Sequence, residues 1–274
     1  MAEAEQGPWA PARVVNSLSD CYFYQTTNLP GVGLQTGEWD LRGGVDTYLG
    51  GVSLADKRVL ELGTANGFLC FEMEARGADV IAYDLGEGDD WDLVPFGGGI
   101  TAEQQAERHE LARKLNNAWW FAHNALKSSA RVVYGNVYDV PASIESVDVA
   151  TFGSILLHLR DPFLALQRTT SLVRETVVVT DMLPVFPRRS VAGMFQPLRR
   201  FSPRLADWAA PDITFIPNAA TRLPVDTWWR ISPRLVSRYL AVLGFTDQVI
   251  TYHQQTYNHP TTRLVPMFTV VARR

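Results

Sequence analysis

Two histidines and one glycine-punctuated turn are the parts of this 274-residue sequence most suited to chemistry. His158 stands in Leu156-Leu157-His158-Leu159-Arg160-Asp161-Pro162, and His123 follows Trp119 by one helical turn. An imidazole titrates near neutrality, so either ring could take a proton from an acceptor that must lose one. Each has a plainer alternative: His158 packed behind a ligand, His123 capping an aromatic cluster. The turn is Val59-Leu60-Glu61-Leu62-Gly63-Thr64-Ala65-Asn66-Gly67, a β-branched and leucine-rich run that breaks at glycine and then reads as a helix. An open α/β sheet binds nucleotide-like ligands at such a point. Gly63 lets backbone approach a ligand without a Cβ clash, and Gly67 permits close packing where the helix begins; Glu61 and Thr64 complete the stretch.

Asp84 lies 21 residues beyond Gly63 at the end of the next strand, where its two carboxylate oxygens can accept from both hydroxyls of a ribose. Asn136 and Val137, in Gly135-Asn136-Val137-Tyr138, stand after the third strand, where an adenine edge would meet a side-chain acceptor and a backbone N–H. A dinucleotide fingerprint needs glycine at 65 and 68, and this chain has alanine and phenylalanine there. The spacing therefore favours an S-adenosylmethionine turn over a dinucleotide site.

Elements able to position these residues can be read from residue 58 onward, where short β-branched runs alternate with amphipathic stretches in the manner of a doubly wound parallel sheet. Strands are expected at 58–62, 78–83, 131–134, 147–152 and 176–180, with helices at 68–76 (closed by Gly77), 102–126 and from Asp161-Pro162 to about 173. In the helix over 102–126, Leu111, Leu115, Ala118 and Ala122 share one face. Ser232-Pro233 opens a further helix that Gly244 ends, and 249–255 and 267–272 are two last strands suited to antiparallel pairing. The expected fold is a Rossmann-like α/β class I methyltransferase sheet of seven strands. An N-terminal segment, residues 1–50, would close over the cofactor, and a Pro-rich cap at 182–230 inside the domain 51–274 would cover the substrate.

Composition limits the function classes. With 46% hydrophobic residues the chain can bury a large single core. No apolar run approaches a bilayer span, and the opening MAEAEQGPWAPARVV lacks a signal-peptide pattern, so a soluble cytoplasmic protein without a membrane partner is expected. Cys21 and Cys70 do not form a zinc pattern; both are expected as reduced thiols, and no metal site is expected. A net charge of -4 with three lysines does not advertise a polyanionic partner, which argues against nucleic acid. One exception is the arginine cluster Arg188, Arg189, Arg199, Arg200 and Arg204, either a phosphate or carboxylate site or a solvated surface. The oligomeric state, a homodimer included, is not legible.

Several further stretches carry a resemblance: Tyr22-Phe23-Tyr24, Leu29-Pro30-Gly31, Gly37-Glu38-Trp39-Asp40-Leu41-Arg42-Gly43, Asn116-Asn117-Ala118-Trp119-Trp120-Phe121-Ala122-His123, the segment Leu156–Pro162, and Trp228-Trp229. Together with the turn at Leu60–Gly67 these resemble class I methyltransferases related to the tRNA wobble-uridine modification enzymes, over most of the chain. The resemblance implies a class I fold, adenosylmethionine as donor and an N-terminal segment closing over it.

Methyl transfer from a sulfonium is an in-line displacement, which asks mainly for positioning and exclusion of water, with a base where the acceptor has a proton to lose. Tyr22, Tyr24, Trp39, Trp228 and Trp229 could wall an apolar pocket or simply pack the cap. Arg42 could pair with the donor's carboxylate or form an ordinary salt bridge. The expected acceptor is a small molecule such as a specialised-metabolism intermediate; a tRNA-directed enzyme and a non-catalytic adenosylmethionine-binding protein are the alternatives.

Overall fold

The computed structural model describes residues 7–184 and 212–274. The arginine cluster and much of the expected cap therefore lie outside the described residues. In chain order the elements are β1 (Thr27–Leu29), β2 (Gly33–Gln35), β3 (Trp39–Asp40), α1 (Val45–Tyr48), β4 (Arg58–Leu62), α2 (Phe68–Glu74), β5 (Asp79–Asp84), α3 (Ala102–Leu126), β6 (Arg131–Tyr134) and β7 (Val147–Gly153). They continue with α4 (Pro162–Thr170), β8 (Val173–Met182), β9 (Ile213–Phe215), β10 (Trp229–Ile231), α5 (Pro233–Val242), β11 (Asp247–Tyr257) and β12 (Arg263–Arg273).

The main sheet runs β6-β5-β4-β7-β8-β12-β11-β3. Its first five strands are parallel, and β12 and β11 close it antiparallel. This is the expected arrangement of five parallel strands and a final antiparallel pair, with one addition: Trp39 and Asp40 pair with Tyr257 and Thr256, so the N-terminal segment supplies an eighth, two-residue edge strand.

Each face of the sheet has its own core, set by the two-residue period of the strands. Val59, Val80 and Ala82 pack with α2, α3 and the N-terminal residues Trp39, Leu41 and Tyr48. Leu60, Leu62, Ile81 and Tyr83 face the other way, toward α4 and the Val236 and Leu240 stripe of α5. Each such fully buried side chain contributes about 1.5–3 kcal/mol.

The helices start where their caps dictate. Thr101 and Gln104 form a reciprocal capping box at the start of α3. Asp161 and Ser232 accept the N3 amides of α4 and α5, each followed by proline at the first helical position. Along α3 the expected apolar face divides. Ala118 and Ala122 are fully buried in the core, whereas Leu111 and Leu115 line a cavity. Among the described residues no helix is long and apolar enough to cross a membrane, no group of side chains could hold a metal ion, and both cysteines are free thiols.

Candidate functional site

Strand order reverses between β4 and β7, and the carboxyl ends of β4, β5 and β7 open into a cavity of about 480 Å³. An open α/β sheet places ligands at such a reversal, because the loops on either side diverge and leave a crevice.

The turn after β4 is built without room for larger residues. Gly63 has φ +78°, and a Cβ there would stand 2.2 Å from Cγ2 of Ile155. The need for glycine at 63 thus comes from Ile155 across the cleft and from the backbone angle. Gly67, at φ +83°, would drive a Cβ to 2.5 Å from Phe71 and 2.6 Å from Trp119, which accounts for the tight helix entry. Inside the turn the Thr64 hydroxyl donates to Glu61 Oε2 at 2.6 Å. Burial pushes the Glu61 carboxyl up to about 8, the Thr64 hydrogen bond opposing it. Glu61, Thr64 and Gly67 shape the turn from behind the cavity wall, while Gly63 and Ala65 form the wall itself.

Asp84 lines the cavity at the end of β5. Its Oδ2 accepts from the Ala65 amide at 2.7 Å and its Oδ1 from the Leu85 amide at 2.8 Å. Burial raises its pKa to about 6 against the pull of those two amides. Each oxygen keeps a lone pair for a ligand hydroxyl. Asn136 and Val137 also line the cavity. The Asn136 side-chain oxygen already caps the next turn by accepting from Tyr138 N at 2.9 Å, so an adenine amine would be its second donor.

His158 lines the same cavity. Its Nδ1 lies 2.5 Å from the Asp226 carbonyl oxygen. A carbonyl can only accept, so Nδ1 carries the proton and the neutral ring keeps its lone pair on Nε2. Burial lowers the pKa, chiefly opposed by that carbonyl and by the Asp226 carboxylate. Arg108 in turn pairs with this carboxylate at 2.8 Å.

Tyr22, Tyr24 and Trp39 reach the cavity from the N-terminal segment. Trp39 Nε1 donates to the Tyr24 hydroxyl at 3.0 Å, and Tyr22 donates to Glu38.

Besides Glu61, Thr64 and Gly67, four further expected residues do not line the cavity. Arg42 is exposed and forks onto Asp40 at 2.8 and 2.7 Å, a local pair two residues apart that leaves no reach into the cavity. His123 stacks on Trp119 with ring centroids 5.0 Å apart and meets the Ala130 carbonyl at 3.1 Å, near the C-terminal end of α3 and beyond the residues that line the cavity. Trp228 and Trp229 do not line the cavity; their indole N–H groups donate to the carbonyls of Asp92 at 2.6 Å and Leu159 at 2.9 Å. They hold in place the segments that do form the wall.

Among the wall residues to which the sequence assigned no role are Gln25, Glu38, Tyr48, Arg108 and Asp226. Gln25 is anchored to the turn, its amide N–H donating to Asn66 Oδ1 at 2.6 Å and its carbonyl accepting from Asn66 Nδ2 at 3.1 Å. Its side-chain oxygen is buried with no hydrogen-bond partner. Glu38 had a signal, since it sits between Gly37 and Trp39 in a stretch that carries the resemblance. The others are brought in by tertiary packing alone.

No protein-family model and no curated protein sequence matches the chain. Among solved structures, the chain is similar to the 1,6-didemethyltoxoflavin-N1-methyltransferase of Burkholderia thailandensis with bound 1,6-didemethyltoxoflavin and S-adenosylhomocysteine, at 16% identity over 85% of this chain and 77% of that one, with a TM-score of 0.47. It is also similar to the magnesium protoporphyrin IX methyltransferase of Synechocystis PCC 6803 with bound S-adenosylhomocysteine, at 12% identity over 85% and 82% of the two chains, with a TM-score of 0.46.

Proposed function

We propose that this chain is an S-adenosylmethionine-dependent methyltransferase acting on a small-molecule acceptor. The observation that carries this reading is the continuity of one cavity, whose walls include Gly63, Asp84, Asn136, Val137 and His158 together. Its volume falls in the range of small-molecule sites. The donor set fits an adenosyl group: Asp84 offers an unused lone pair on each oxygen to the ribose diol, and Asn136 and Val137 are available to the adenine edge. When bound, adenosylmethionine supplies an electrophilic methyl carbon on a sulfonium, and displacement leaves adenosylhomocysteine.

The remaining work belongs to the chain. Tyr22, Tyr24 and Trp39 exclude water from the reacting end. His158 would receive at Nε2 the proton that the acceptor gives up on methylation. Its tautomer is fixed in advance by the Asp226 carbonyl. The N-terminal segment takes part as the lid of the site, and a specialised-metabolism intermediate suits the enclosed, acidic and aromatic wall.

The test is calorimetric titration with adenosylmethionine and its carboxylated analogue, followed by assay of adenosylhomocysteine production on small-molecule extract and on bulk tRNA. Binding of adenosylmethionine with turnover in extract supports the proposal. Preference for the carboxylated donor, or turnover on tRNA, would assign the chain to the wobble-uridine branch, and tight binding without turnover on any acceptor would assign a non-catalytic role.

A further inference from the structure

The charges around the cavity do not balance. Five carboxylates line it, those of Glu38, Asp84, Asp90, Asp92 and Asp226, against the single guanidinium of Arg108. Most are accounted for locally. Arg108 pairs with Asp226 at 2.8 Å, Arg160 pairs with Asp92 at 3.2 Å, and His109 lies 3.4 Å from the largely exposed Asp90. Asp84 is held by two backbone amides.

Glu38 is different. Among the described residues no lysine or arginine forms an ion pair with it, although it is half-buried. Its two oxygens are each held by a phenol instead, Tyr22 on Oε1 and Tyr257 on Oε2 at 2.8 Å. Two neutral donors orient the carboxylate and leave its charge in place. Aromatic rings surround it: Trp39 and Tyr257 meet with centroids 4.7 Å apart and planes inclined at 55°, and the Tyr24 hydroxyl fixes the Trp39 indole. Ring faces attract cations, and a half-buried carboxylate without a counter-ion is stabilised by one. Arg263 lies 4.7 Å from the Tyr257 centroid, and donates to the His259 carbonyl.

An independent sign comes from Gln25. Gln25 lines the same cavity, and its side-chain oxygen is buried with no donor. This wall thus offers acceptors and negative charge, and its ligand has to bring hydrogen-bond donors and positive charge.

We propose that the methyl acceptor carries a basic amine, bound as its ammonium between the Glu38 carboxylate and the rings of Tyr22, Trp39 and Tyr257. This rests on the methyltransferase reading for the word acceptor, though not for the binding site. The ammonium is a recognition handle, and it sets the substrate class as cationic amines in preference to neutral or acidic molecules of the same shape.

The experiment compares phenethylamine, protonated at neutral pH, with the neutral 2-phenylethanol, titrated into the protein loaded with adenosylhomocysteine. The amine is expected to bind about tenfold tighter. In Glu38→Gln the preference should fall below about twofold, while adenosylmethionine and adenosylhomocysteine bind as to the parent. Equal binding of the two probes, or a preference that survives Glu38→Gln, would overturn the proposal. So would a Glu38→Gln protein that loses adenosylmethionine but keeps adenosylhomocysteine, since Glu38 would then serve the sulfonium. Should Glu38→Gln fail to fold, Tyr257→Phe keeps the carboxylate and the ring and must retain the amine preference; loss of preference there overturns the account as well. If adenosylhomocysteine does not bind at all, the methyltransferase reading fails by itself, and the same probe pair on the free protein still decides the amine site.

Discussion

Asp84 closes the glycine turn as well as facing the cavity: its Oδ2 takes the Ala65 amide at 2.7 Å, and Ala65 holds a left-handed φ of +51°. The carboxylate that would receive a ribose therefore also fixes the backbone that would face it. Asp84→Asn presents one acceptor and one donor to two amides, so one of them meets an N–H. Affinity for adenosylhomocysteine should fall by about a hundredfold, as expected for losing charge-assisted hydrogen bonds. With the free carboxyl near 6, parent affinity should also weaken as pH is lowered through that value. Titration calorimetry between pH 8 and 5 reads both, and a flat profile would remove Asp84 from the ribose site.

Three buried carboxyls are pushed upward by burial: Asp84 to about 6, Asp181 to about 7 and Glu61 to about 8. In each case the folded chain holds a proton that the unfolded chain has released, so folding is favoured at low pH and this contribution is lost as pH rises through the folded values. Melting temperature of the free protein should thus decline between about pH 5 and 8. Glu61→Gln keeps an acceptor for the Thr64 hydroxyl and removes the charge. It should flatten the decline and melt higher than the parent at pH 8, by roughly 2–8 °C if about 1–2 kcal/mol is recovered. A variant that melts lower at pH 8 would mean that Glu61 is ionised and usefully solvated.

The sequence made the frame legible because frame residues act through local periodicity. Helix α3 runs over the expected Ala102–Leu126, and the parallel strands fall where β-branched runs predicted them. Gly63, Asp84, Asn136 and His158 could be placed because each follows a strand, and every parallel strand ends at the same edge. What local pattern could not supply was pairing over distance. Glu38 meets Tyr257 across 219 positions, and Arg108 meets Asp226 from a helix that otherwise reads as core. The opposite error has the same origin: Arg42 and His123 have the right chemistry, but Asp40 and the Trp119 stack claim them first.

His158 should show its role in the pH profile of turnover. Burial holds its pKa below the ordinary 6.5, and Nε2 keeps its lone pair. The acid limb of kcat should lie below pH 6.5, with a plateau through neutrality. His158→Gln should lower kcat by about a hundredfold or more and leave adenosylhomocysteine affinity intact. Arg108→Met gives a sharper check. It removes a like charge and frees the Asp226 carboxylate, both favouring imidazolium, so the acid limb should move toward neutral pH. Imidazole titration by NMR reads the same shift without turnover, and an unmoved resonance would detach His158 from the Asp226–Arg108 pair.

His123→Phe separates the two histidines. The ring stacks on Trp119 and sits beside Phe71 and Trp120, so phenylalanine preserves most of the packing and loses the hydrogen bond to Ala130. Stability should fall by about 1 kcal/mol with adenosylhomocysteine binding unchanged, and a loss of binding beyond about tenfold would put the C-terminal end of α3 in contact with the site.

Gly63 offers the most direct test of where the cofactor sits, because two independent costs meet there. The backbone angle of +78° costs a Cβ-bearing residue about 1–2 kcal/mol, and the Cβ would stand 2.2 Å from Ile155 Cγ2, adding about 1–3 kcal/mol unless Ile155 shifts. Gly63→Ala should accordingly lower the unfolding free energy by roughly 2–5 kcal/mol. Adding Ile155→Ala removes only the steric part, so the double variant should regain some stability relative to the sum of the two single changes. Gly63→Asp brings the same clash together with a second carboxylate next to Asp84 and should abolish adenosylhomocysteine binding even where the protein stays folded. Thermal melts and calorimetry on the four variants separate these effects. If Gly63→Asp binds like the parent, the turn after β4 does not hold the cofactor, whatever its strand and glycines suggest.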